Sequence, residues 1–107
     1  MTSAALLTSL SLGATSASAI NGVDCGPAEF LKLQVHDGAW GFEWCFANAG
    51  EYPFATILWA TKIETGNNRV QWFGDGRWQP AQPIEKWTTF TWPNYPGGVR
   101  IDRIRIL

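Results

Sequence analysis

The chain has 107 residues, with 8 basic and 9 acidic side chains and a formal net charge of −1, which is the size of one small domain. Its composition, 46% hydrophobic and 16% charged, supports a buried core and argues against a disordered chain. A charge this close to zero lacks the clustered Lys and Arg on which phosphate recognition rests, so neither nucleic acid nor an anionic bilayer is an expected partner.

All five Ser and the single Met fall in the first 18 positions, and the first charged side chain is Asp24. The uncharged run ends in Ala17-Ser18-Ala19, a small-residue cleavage pattern placed where a signal peptide ends. Residues 1–19 are therefore expected to be a signal peptide, residues 20–107 the mature domain, and the protein secreted. The basic segment that opens such a signal is missing, which reads as a start internal to a longer precursor. A disordered Ala/Ser tail is the alternative. No other run approaches the roughly 18 apolar residues of a membrane span.

Residues 20–107 contain no Ser, no Met and one His, so a Ser-His-Asp constellation is excluded. Two Cys 20 positions apart in a small secreted chain read as one disulfide, Cys25–Cys45. Closing that loop stabilises the fold by about 3 kcal/mol. The pairing leaves no thiol for a Cys-His nucleophile, and two Cys with one His at unrelated spacings do not make a zinc site. No catalytic residue, metal ligand or cofactor is expected.

The period along the mature chain is two. Leu31, Leu33 and Val35 share one face while Lys32 and Gln34 share the other, the pattern of a half-buried strand. Trp40, Phe42, Trp44 and Phe46 alternate in the same way and put four aromatics on one face. Cys45 lies on the opposite face of that strand. Further strands are expected at about 55–64, 69–73, 85–92 and 98–107. They are separated by turn-forming residues at Asp37-Gly38, Gly50 to Pro53, Thr65 to Asn68, Gly74-Asp75-Gly76, Pro80 to Pro83 and Pro93 to Gly98. Short strands at such intervals predict an all-β sandwich. Val99 and Ile101 are odd and Ile104 and Ile106 even, so a bulge is expected near Asp102-Arg103, with Arg100 and Arg105 facing water. Phe42-Glu43-Trp44 echoes Val70-Gln71-Trp72, and Thr61 to Glu64 echoes Asp102 to Arg105. This faint repeat suggests one four-stranded Greek key per half, packed face to face.

The segments Val23 to Gly26, Phe30 to Lys32, Trp44 to Gly50, Lys62 to Asn68 and Val99 to Leu107 resemble the secreted killer-toxin-like proteins of Streptomyces, single-domain members of the βγ-crystallin superfamily. The most specific pieces are Cys45-Phe46-Ala47-Asn48-Ala49-Gly50 and Thr65-Gly66-Asn67-Asn68. The resemblance implies a βγ-crystallin-like sandwich of two Greek keys, export, and growth disturbance of yeasts and moulds, as in a related yeast toxin thought to act on cell-wall glucan synthesis. Many superfamily members bind calcium through two adjacent Asn/Asp followed by a Ser/Thr pair. Here Asn67-Asn68 is followed by Gln71-Trp72, and the neutral amides stand beside Arg69, so calcium is not expected.

Seven Trp, six Phe and two Tyr lie in the mature part. Trp44, Trp59, Trp72, Phe42, Phe46 and Phe73 fall in expected strands and are read as core. Arg77 and Trp78, in the Gly-rich 74–83 segment read as a loop, and Trp92 and Tyr95, beside Pro93 and Pro96, are the candidate binding residues. Loop aromatics and Arg grip a surface without net charge. The expected partner is a fungal cell-surface or cell-wall component, bound by a monomer without catalysis. The alternatives are a metalloproteinase inhibitor of the same fold, disfavoured because the 74–83 segment holds no disulfide, and a glycan-binding module. The nine carboxylates sit in exposed strand or turn contexts, so an enzyme with a glycosidase pair is not expected. Mass spectrometry of the exported protein should show Ile20 as its first residue and two hydrogens lost to Cys25–Cys45, and Cys25→Ala should lower stability by about 2–5 kcal/mol. Two alkylatable thiols in the native protein would contradict the pairing.

Overall fold

The computed structural model describes residues 19–107, so the expected signal segment lies outside the described residues except for Ala19. Eight strands follow in chain order: β1 (Asn21–Val23), β2 (Leu31–His36), β3 (Gly41–Ala47), β4 (Gly50–Glu64), β5 (Val70–Gly74), β6 (Arg77–Ile84), β7 (Thr89–Thr91) and β8 (Val99–Ile106). All pairings are antiparallel, along the path β1-β3-β2-β4-β8-β5-β6, with β7 joined to β4. The protein is all-β, as the period of two predicts.

The path folds into two layers because β4 and β8 each bend. The end of β4 pairs with β2 (Lys32↔Glu64, Leu33↔Ile63) and β7 (Lys62↔Thr91, Glu64↔Thr89). Its start pairs with β8 (Gly50↔Ile106, Pro53↔Arg103), and β8 also carries β5 (Val70↔Ile106, Phe73↔Arg103). Leu58 to Ala60, opposite Val99 to Ile101, form the hinge between the layers. Each half of the chain is thus a four-stranded key whose third strand lies in the layer of the other key. Inward-facing Leu31, Leu33, Phe46 and Ile63 of one layer meet Val70, Trp72, Ile104 and Ile106 of the other in a single core.

The switch of buried phase expected in the last strand is present, but the extra residues lie in its partner β4 rather than near Asp102-Arg103 in β8. Ile101 and Ile104 are both fully buried, and the register of β4 against β8 breaks between Pro53 and Leu58. Four residues, Phe54 to Ile57, therefore loop opposite Asp102 alone. The repeat Thr61 to Glu64 with Asp102 to Arg105 falls on equivalent closing strands, β4 and β8. Phe42 to Trp44 and Val70 to Trp72 fall on different strands of their keys, so that match is not structural.

Three local readings change. Gly50 to Pro53 is strand rather than turn, because β8 supplies it with a partner. The 74–83 loop is instead a tight turn at Asp75-Gly76 followed by β6, which holds Pro80 and Pro83. An edge strand tolerates proline because one row of its amides has no ladder partner to lose. The 85–92 strand shrinks to Thr89–Thr91. Among the aromatics read as core, Phe46 and Trp72 are buried, Trp44, Trp59 and Phe73 are half-buried, and Phe42 is exposed near the end of its hairpin. Cys45 is fully buried and bonded to Cys25, with 5.3 Å between their Cα atoms. That bond fastens the N-terminal arm to β3.

The segment Thr65 to Asn68 gathers three connections. The buried Thr65 Oγ1 donates to Glu85 O and accepts from Thr88 N–H at 2.9 Å. Asn67 N–H and the Asn68 side-chain amide both donate to Glu29 O at 3.0 Å, and the same amide reaches Thr65 O at 2.9 Å. Both Asn therefore tie loops together. Gly66 immediately precedes them at φ 59°, and a Cβ there would lie 2.5 Å from Glu29 O and 2.6 Å from Phe30 O. Gly66→Ala combines left-handed strain with a backbone clash and should cost about 2–4 kcal/mol in chemical denaturation. A loss below about 0.5 kcal/mol, the size of an ordinary surface substitution, would show that this junction gives way freely.

Candidate functional site

At the end of the sandwich where β6 and the 92–98 connection converge, a cleft of about 330 Å³ opens between the layers. Its base is Trp72, which is 6% exposed and whose Nε1 has no hydrogen-bond partner. Trp92 meets Trp72 edge-on with 5.5 Å between ring centres, and Phe90 backs Trp92 at 5.3 Å in the same manner. Such edge-to-face contacts fix ring orientation as well as burying area. Arg77, Gln79 and Asp75 line the β5–β6 side, and Tyr95, Val99 and Arg100 line the other.

Local structure explains each placement. Arg77 and Gln79 share one face of β6, and Gln79 is held by its side-chain amide, which donates to Gly74 O at 2.7 Å. Tyr95, 60% exposed, rides on two successive turns: its N–H donates to Trp92 O at 2.9 Å, and Gly98 N–H donates to Tyr95 O at 2.8 Å. His36 fastens the same connection, with Nε2 2.6 Å from Gly97 O and its ring stacked on Trp59 at 5.8 Å. Arg100 lies 3.4 Å from Asp102, so its charge is partly answered at the rim.

Of the four candidate binding residues, the structure brings Arg77, Trp92 and Tyr95 to this one cleft. Trp78 is not among them. Alternation along β6 turns it to the outer face, where its ring packs on Phe73 at 5.2 Å and the Arg105 guanidinium lies 4.0 Å over its centre. Arg105, expected to face water, is instead half-buried. It bonds Gln71 Oε1 at 2.5 Å and approaches Glu51 at 3.6 Å, while Gln71 in turn donates to Pro80 O at 2.9 Å. One row of side chains thereby crosses β4, β8, β5 and β6. Reasoning from sequence missed Trp72, Asp75, Gln79, Val99 and Arg100 as cleft residues. The signal that could have found the first is its place two residues before the Gly74 turn, on the same face of the hairpin as Arg77.

Residues 34–105 match the family model described as beta/gamma crystallin. The chain belongs to the beta/gamma crystallin family. It is also similar to the NMR structure of killer toxin-like protein SKLP, at 32% sequence identity and a TM-score of 0.62, over 81% of this chain and 99% of that one. No curated protein matches the chain significantly in sequence. Neither the family nor the killer-toxin-like neighbour is known for enzymes.

In this beta/gamma crystallin domain the outer-face position of Trp78 predicts a structural role. Trp78→Ala should lower stability by about 2 kcal/mol or more through lost packing and the lost cation–π contact. Equilibrium urea unfolding checks this, and an unchanged midpoint would return Trp78 to the list of free surface aromatics.

Proposed function

We propose that the protein is a secreted killer-toxin-like protein that disturbs growth or cell-wall synthesis of yeasts and moulds by non-catalytic binding to a surface or wall component. The observation that carries this reading is the similarity to a killer toxin-like protein across 81% of this chain and 99% of that one. The cleft supports it. Arg77, Trp92 and Tyr95 combine flat aromatic surface with a directional cation, the residue types that dominate binding hot spots.

The charge pattern favours binding over chemistry. Glu51, Glu64, Glu85 and Asp102 each lie within 3.7 Å of an Arg or Lys on exposed strand faces or turns. Carboxylates neutralised in this way stabilise a surface rather than move protons. The inhibitor reading needs a free, rigid loop at 74–83, and residues 77–83 of that segment belong to strand β6.

The direct test is a growth and morphology assay on yeasts and moulds with purified residues 20–107, run beside a thermolysin inhibition assay. Growth arrest without protease inhibition supports the reading, and the reverse overturns it. Within that assay, Tyr95→Ala should weaken activity by the equivalent of about 2 kcal/mol, some thirtyfold, while the unfolding midpoint stays unchanged, because the side chain is exposed and only its backbone joins the turns. Full activity in Tyr95→Ala would remove the cleft from the mechanism.

A further inference from the structure

Trp87 is 64% exposed yet holds φ at 58°. The left-handed region is disfavoured for a bulky side chain and persists only where the surroundings enforce it. They do so here through backbone groups on both sides. The Trp87 N–H donates to Gly66 O at 2.6 Å, the next N–H donates to the buried Thr65 Oγ1 at 2.9 Å, and Thr88 O accepts from Thr65 N–H at 3.0 Å. The fold thus holds a strained residue in place although its indole contributes little burial. Core packing does not explain the ring.

Beside it lies an open groove of about 270 Å³ lined by Ala28, Lys32, Glu64, Trp87, Thr88 and Thr89. The wall is one row across three strands: Lys32 stands in register with Glu64, and Glu64 with Thr89. An ammonium, a carboxylate and a hydroxyl therefore alternate along it with no net charge. Lys32 Nζ also donates to Pro27 O at 2.9 Å, and Lys62 lies 3.6 Å from Glu64, so the two charged members of the row are positioned rather than free-swinging. None of these lining residues belongs to the Trp72 cleft.

We propose that Trp87 and this groove form a second binding site, for a neutral polysaccharide, with one sugar ring stacked on the indole. The C–H face of a pyranose is apolar and weakly positive, which suits the electron-rich face of Trp. Its ring hydroxyls both donate and accept, which suits the Lys32–Glu64–Thr89 row, while an anionic or cationic ligand would meet a like charge there. The site goes beyond the killing activity proposed above, since attachment to a wall polymer does not depend on what the Trp72 cleft recognises.

The test is depletion of the exported protein from solution by insoluble β-1,3-glucan, chitin and mannan particles at high salt, comparing wild type with Trp87→Gly, Trp87→Tyr and Tyr95→Ala. Glycine relaxes the left-handed backbone, so Trp87→Gly folds with an unchanged or higher unfolding midpoint. The expected result is retention of wild type on at least one polysaccharide, a loss of tenfold or more in Trp87→Gly, most of the retention kept in Trp87→Tyr, and a smaller loss in Tyr95→Ala than in Trp87→Gly. Failure of wild type to bind any of the three, or equal retention of Trp87→Gly, overturns the proposal. Equal loss in Tyr95→Ala also overturns it, by placing the polysaccharide in the other cleft. The growth assay is read separately, so either result leaves the toxin reading to stand or fall by itself.

Discussion

Neither Greek key closes a layer by itself. The start of β4 is hydrogen-bonded only to β8, and β7 only to the end of β4, so each key gives its third strand to the other. The exchange ties the two faces into a single core, since each inner face receives side chains from the distant half of the sequence, Tyr52 from the start of β4 and Phe90 from β7. Pairing of this kind is non-local, which makes folding a concerted event of both keys rather than a sum of two. It also places the two proposed binding surfaces. The Trp72 cleft needs β5 and β6 from one layer and the chain leaving β7, anchored in the other. The Trp87 groove needs β2 and β4 of the first key beside β7 of the second.

What could be read in the sequence was what a strand with one wet and one dry face writes into it. Leu31, Leu33 and Val35 alternate cleanly because β2 is flanked on both sides and buried on one face. The switch from odd to even aliphatics between Ile101 and Ile104 was legible because both residues had to stay inside across the register break with β4. β6 was illegible for the opposite reason. It lies at the end of the sheet path, most of its side chains are partly wet, and Pro80 and Pro83 carry the composition of a loop. Gly50 to Pro53 has turn chemistry too, and only the partner strand β8, half a chain away, makes it extended.

The candidate residues show the same division. Arg77, Trp92 and Tyr95 stand out in the sequence by residue type and by lying near breakers, and the fold assembles them across a gap that type alone does not measure. Trp78 was grouped with its neighbour Arg77 because a loop has no sides. Once the segment is a strand, adjacent residues point apart and the two part company. Trp87 was hidden inside an apparent strand by its Thr neighbours. Its true conformation is imposed by Gly66 and Thr65, residues that no local pattern connects with it.

The prolines of β6 bear on how this domain behaves in company. One end of the hydrogen-bonded path is the three-residue β1, and the other is a strand in which two positions have no amide proton to offer. A sheet rim interrupted in this way is a poor template for the strand of another molecule. Neither end of the path therefore offers a second copy of the domain a continuous ladder to join. The same interruption disfavours capture of extended peptides by main-chain augmentation. The two proposed surfaces are accordingly made of side chains standing on the sandwich, where a single substitution is able to retune them without disturbing the ladder beneath.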